Sequence, residues 1–70
     1  MNLNILTKRE KEVFDYLILS KSTKEISELL NITEKTVRNH ISIVIGKLGV
    51  SSRTQAILQL LKHNVIKIDK

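Results

Sequence analysis

The sequence predicts an all-α fold, a compact four-helix domain. Three observations point to it. Residues that start helices recur at Thr7, Ser22, Thr33 and Ser52. Between them the aliphatic residues repeat at helical spacing. Finally, the 70 residues contain no Pro, two Gly and no internal repeat, so nothing marks a second domain or a linker. Residues 1–70 are therefore expected to be one module, with its core between 6 and 63 and short extensions at both ends. A chain of this size buries only about 60% of its unfolded surface. With 41% hydrophobic and 3% aromatic residues, the core must be many small Leu, Ile and Val contacts, each worth about 1.5–3 kcal/mol when fully buried. Stability will be thin, and a dimer contact would add to it.

Helix one opens at Thr7-Lys8-Arg9-Glu10, where the side chains of Thr and Glu can each satisfy the other's backbone N–H, and runs to about Ser20. Val13, Phe14, Leu17 and Ile18 form its apolar face, and Leu6 before the cap either staples the first turn or packs on the core. Ser22-Thr23-Lys24-Glu25 repeats the capping pattern and starts a short helix, with Ile26, Leu29 and Leu30 on one face, that ends near Leu30. Asn31 tolerates the left-handed backbone that stops a helix, so 30–33 reads as a tight turn with Ile32 tucked inward. Thr33 caps helix three, about Glu34 to Leu48, and Glu34 favours the positive end of the helix dipole. Val37, Ile41, Val44 and Leu48 are spaced 4, 3 and 4, the mark of a core-facing stripe that Ile45 widens. Gly49 is placed to end this helix in a left-handed turn that folds Val50 back on Ile45. Ser52-Arg53-Thr54-Gln55 has capping-box form and starts helix four, which continues to about Lys62 with Ile57, Leu60 and Leu61 inward. The tail from Asn64 to Lys70 carries no start signal and is left as an extension.

A net charge of +5 points to a polyanionic partner, although such a charge also keeps small proteins dispersed. Its distribution says more: from Lys35 to Lys67 there is no Asp or Glu. Helix three thus sets an aliphatic face against a polar, basic one, as expected where a helix approaches phosphates. Zero Cys rules out disulfides and thiolate metal sites. No metal, cofactor or small-molecule ligand is expected. No basic leader followed by an apolar stretch occurs, and no apolar run approaches the roughly 20 residues that cross a bilayer. The expectation is a cytoplasmic protein without membrane contact. His40 and His63 are the only imidazoles, and neither a Gly-rich phosphate loop nor a paired-carboxylate cleft can be assembled, so no catalysis is assigned.

Helices two and three, joined by a three- or four-residue turn, form a helix-turn-helix unit in which Ser27, Asn31, Ile32 and Val37 supply a small residue, a turn residue and two buried aliphatics. An ordinary helical corner has the same form. The segments LTKREKEVFDYL, STKEISELLNITEKTVRNHISIVIGKLGV and SRTQAILQLL together resemble the LuxR-type, GerE-like DNA-binding domain over about residues 6 to 63. The resemblance rests on several separated pieces in order: Leu6-Thr7-x-Arg9-Glu10, Lys24-Glu25-Ile26, Thr36-Val37-x-x-His40, Lys47-Leu48-Gly49-Val50 and Arg53. Ser27 stands where the family usually has Ala, a small-for-small exchange. The likeness is strongest to free-standing GerE-type regulators, whereas many family members carry a receiver or ligand-sensing domain ahead of this module.

The resemblance implies a bacterial transcription regulator that binds double-stranded DNA, with helix three in the major groove. Arg38 and Asn39 would read bases, Arg by two hydrogen bonds to guanine and Asn by two to adenine, each worth about 1–3 kcal/mol of discrimination. The family also places Ser42 on the reading face. Thr23, Lys24, Lys35, Thr36 and Lys47 would hold phosphates, because hydroxyls, ammonium groups and helix N-termini bind them without reading sequence. For Lys24 and Lys47 a solvated surface role weighs equally. His40 is either a half-buried structural residue or the phosphate contact the family suggests. Arg53 either touches phosphate or pairs with Glu10, and the structural role is slightly favoured. The family dimerises through helix four, which implies a two-fold pair built on Leu58 with Gln55, Leu61 and Lys62 nearby, and Ile43 offers a second exposed partner surface. With no sensor in view, control is expected from abundance or RNA polymerase contacts, in a cytoplasmic, nucleoid-associated setting. The competing reading is an interaction module that sequesters a larger regulator by heterodimerisation through helix four. The polar set Thr36, Arg38 and Asn39 has no use in such a module.

Overall fold

A computed structural model describes residues 5–68. Its order is α1 (Lys8–Ile18), α2 (Thr23–Leu30), α3 (Glu34–Leu48) and α4 (Arg53–Lys62), an all-helical arrangement as expected. The first two starts are reciprocal. Thr7 Oγ1 accepts from the Glu10 N–H at 3.1 Å while Glu10 Oε1 accepts from the Thr7 N–H at 2.9 Å. Ser22 and Glu25 repeat this at 3.1 and 2.9 Å. The fourth start differs from the expected box. Ser52 does cap Gln55, but the Gln55 carbonyl accepts from the N–H and hydroxyl of Ser51 at 2.8 and 2.9 Å. Ser51 offers two donors to one oxygen, which the Ser52 backbone cannot match.

All four helices end alike. Ser20, Asn31, Gly49 and Asn64 take the left-handed backbone, with φ of 64°, 57°, 67° and 59°. The N–H after each reaches back to a carbonyl of the last turn: Lys21 to Tyr16, Ile32 to Ser27, Val50 to Ile45 and Val65 to Leu60. Only one of the four positions is glycine. Helix one consequently stops at Ile18, two residues before the expected Ser20, which is itself the turn residue.

Packing centres on α3, which lies against each of the other three helices. Val37, Ile41, Val44 and Leu48 are at most 5% exposed and meet Val13, Phe14 and Leu17 of α1, Ile26 of α2 and Ala56 and Leu60 of α4 in one cluster. Leu6 packs against this cluster, so of its two expected placements the core is the one adopted. The tail departs from the expectation of an extension beyond the core. Asn64 reverses the chain, and Ile66 is buried in the cluster at 1% exposure, beside half-buried Val65. Alternating apolar residues after a left-handed turn carry no helical period, yet the reversal alone aims one of them inward.

Candidate nucleic-acid interface

α2 and α3 meet through a three-residue corner, Asn31 to Thr33, whose residues act as the spacing required. Ser27 is buried and its hydroxyl donates to the Lys24 carbonyl at 2.6 Å, so its polarity is satisfied inside the helix. Ile32 is half-buried and Val37 fully buried. This fixes how α3 stands. At about 100° per residue, the line Lys35, Asn39, Ser42 and Gly46 runs directly opposite the buried stripe, and all four residues are exposed. Arg38 and Ile43 flank that line, both exposed. Gly46 is unneeded by the fold: a Cβ there meets nothing within 4 Å and its φ is not in the left-handed region.

Apart from Lys35, which lies on the central line, the candidate phosphate residues occupy two edges of this face. On the α2 side, Lys24 is exposed and the Thr23 hydroxyl donates to Glu34 Oε2 at 3.4 Å. The same oxygen lies 3.5 Å from Arg38 Nη1. Thr36 Oγ1 accepts the Thr33 hydroxyl proton at 2.9 Å, which leaves the Thr36 hydroxyl its own proton to donate. On the α1 side are His40 and Lys47. His40 is half-buried, and its Nδ1 is enclosed without a hydrogen-bond partner.

Lys47 spends two of its three ammonium N–H groups within the fold. Its Nζ donates to Glu10 Oε1 at 2.7 Å and to the Ile5 carbonyl at 2.9 Å. Glu10 is 4% exposed, and this pair answers the question left by Arg53: the partner of Glu10 is Lys47, and Arg53 stays exposed. Burial by itself would push the Glu10 carboxyl up. The Lys47 hydrogen bond, the Thr7 amide and the charges of Lys47 and His40 outweigh it and hold the carboxyl below its ordinary value. On α4, Leu58 is 60% exposed and sits opposite the buried Ala56 and Leu60. Leu61 is half-buried beside it, while Gln55 and Lys62 are exposed.

The model describing bacterial regulatory proteins of the luxR family matches residues 4–60. The chain belongs to that family. It is 53% identical over 64 residues to the spore germination protein GerE of Bacillus subtilis, spanning 91% of this chain and 86% of that one. A solved structure of the transcription factor GerE superposes with a TM-score of 0.89 at 58% identity, over 91% of this chain and 96% of that one. The transcriptional regulatory protein DegU of Brevibacillus brevis is 42% identical over 66 residues. There the match spans 94% of this chain but 28% of the longer protein. Membership carries the coarse function, a DNA-binding regulator of transcription, and the four-helix architecture is the one GerE has. Sequence reasoning missed Glu34 as the link between Thr23 and Arg38. The i, i+4 spacing of Glu34 and Arg38 was its available signal, and the reach to α2 had none.

Proposed function

We propose that this luxR-family chain reads a specific DNA sequence as a symmetric dimer, with α3 in the major groove and Arg38, Asn39 and Ser42 on base edges. The observation that carries this reading is the outer face of α3. Arg38, Asn39 and Ser42 are exposed, with Arg38 paired to Glu34, on a helix whose opposite face is the core. Residues 6–66 act as one module in this proposal, because Ile66 is part of its core. Lys24, Lys35, Thr36 and His40 hold phosphates, Thr23 does so through its backbone N–H at the start of α2 because its hydroxyl proton goes to Glu34, and Lys47 through the third ammonium N–H that Glu10 and Ile5 leave. Leu58 supports the pairing surface: a large exposed aliphatic at the centre of a helix face, bordered by Leu61, suits a self-complementary contact. The two reading helices would then meet half-sites about 34 Å apart. The chain works in the bacterial cytoplasm in this reading, where its DNA lies.

Selection from a randomised duplex library, followed by titration of the enriched site, tests the reading. No enriched motif at physiological salt would overturn it. Arg38→Ala should weaken the preferred site by about 1–3 kcal/mol and relax one base position, whereas Lys35→Ala should weaken all duplexes alike and lower the salt slope by about one. Leu58→Glu should sediment as a single chain with its helical content intact, and an unchanged dimer would remove Leu58 from the interface.

A further inference from the structure

After Glu28 the chain has one acidic residue, Glu34, before Asp69, and it stands in the first turn of the helix that otherwise presents a basic face. Its placement is held from two sides. Glu34 Oε2 accepts the Thr23 hydroxyl at 3.4 Å, across the corner from α2, and lies 3.5 Å from Arg38 Nη1, one turn along α3. An exposed i, i+4 ion pair alone would be loosely held. Here the carboxylate has a second, non-local partner, so Thr23, Glu34 and Arg38 form a chain that ties the start of α2 to the guanidinium.

We propose that Glu34 is a positioning residue that sets sequence selectivity by denying Arg38 to the phosphates. The inference rests on the assignment of α3 as the reading helix. A guanidinium has five N–H donors, so one or two spent on Glu34 leave enough for a bidentate contact with guanine. An arginine released from Glu34 is long and flexible enough to turn to the nearest phosphate instead, where it binds any duplex equally well. The carboxylate also repels phosphates from that side of the helix, an effect that screening reduces as salt is raised. Glu34 therefore lowers general affinity for DNA and leaves the base-reading pose of Arg38 as the favourable one.

The test compares the library-selected duplex with a random duplex of equal length, for the parent chain, Glu34→Gln, Arg38→Ala and the double variant. Gln keeps the shape of the residue and an acceptor for Thr23 while removing the charge that holds Arg38. Glu34→Gln should bind random duplex about threefold or more tightly at low salt, with a smaller change on the selected site, so the selectivity ratio falls by about threefold. In the Arg38→Ala background the same substitution should leave the ratio unchanged, because the residue to be positioned is gone. A ratio unaffected by Glu34→Gln in the parent, or lowered equally in the Arg38→Ala background, overturns the proposal while leaving α3 as the reader. A parent chain without any preferred duplex overturns the reading helix and this inference together. Circular dichroism of each variant verifies the fold, and Glu34→Ser, which keeps a capping-type side chain and lacks the reach to Arg38, should reproduce the lost selectivity if Glu34→Gln does not fold.

Discussion

The two faces of α3 share one spacing and obey different rules. Val37, Ile41, Val44 and Leu48 repeat at 4, 3 and 4 and are shut into the core, while Lys35, Asn39, Ser42 and Gly46 repeat at the same intervals and are exposed. On the inner face each residue is explained by the neighbours it fills space against. The outer face is open to solvent, so weak helix formers such as Asn and, above all, Gly stand there without a folding reason. The difference marks the part of α3 that the fold leaves to solvent.

The largest effect expected from this contrast lies on the inner face. Ile41→Ala should lower stability by about 3 kcal/mol and the thermal midpoint by about 15 °C, while preference among duplexes, measured on the folded fraction, stays as it was. A changed preference would show that the faces are not independent. Glu10→Gln tests the edge between them and should lower stability by about 2 kcal/mol, since it leaves the Lys47 ammonium without its carboxylate. The folded Glu10 carboxyl titrates below its unfolded value near 4.5. Its contribution is thus complete above that pH and is lost as the pH falls through the lower, folded value. Urea midpoints should fall with acidification in the parent from about pH 4.5 downward, and less steeply in Glu10→Gln. An identical slope would show that Lys47 does not hold the carboxylate. The smallest effect belongs to the outer face. Gly46→Ala should raise stability by about 0.5–1 kcal/mol. Where DNA comes close to the backbone at that point, the added methyl should weaken binding, so stability and affinity measured on one variant would move in opposite directions. A variant more stable and equally tight would show that nothing approaches Gly46 closely.

Much of this was legible in the sequence because it depended on short-range rules. The Thr7–Glu10 and Ser22–Glu25 boxes, the Thr33 cap, the left-handed Asn31 and the stripe on α3 involve partners three to five residues apart, and all of them form. The misplacements had other causes. Gln55 meets the pattern of a box, but a serine one position earlier competes for its oxygen. Ile66 enters the core only because Asn64 turns the chain, and sequence spacing does not report a reversal. Pairing Glu10 with Lys47, 37 residues apart, depended on the crossing of α1 and α3. For the candidate site, the residue types of the outer face were readable, but their constraint was not: the bridge through Glu34 becomes visible only when α2 and α3 are placed together.

The double anchorage of the Lys47 ammonium has a mechanical reading. By gripping the peptide oxygen of Ile5 as well as Glu10, it ties the segment entering α1 to the last turn of α3. Displacing that entry segment must first break a charge-assisted bond to α3. A tug applied at Ile5 is therefore passed directly to the C-terminal turn of α3.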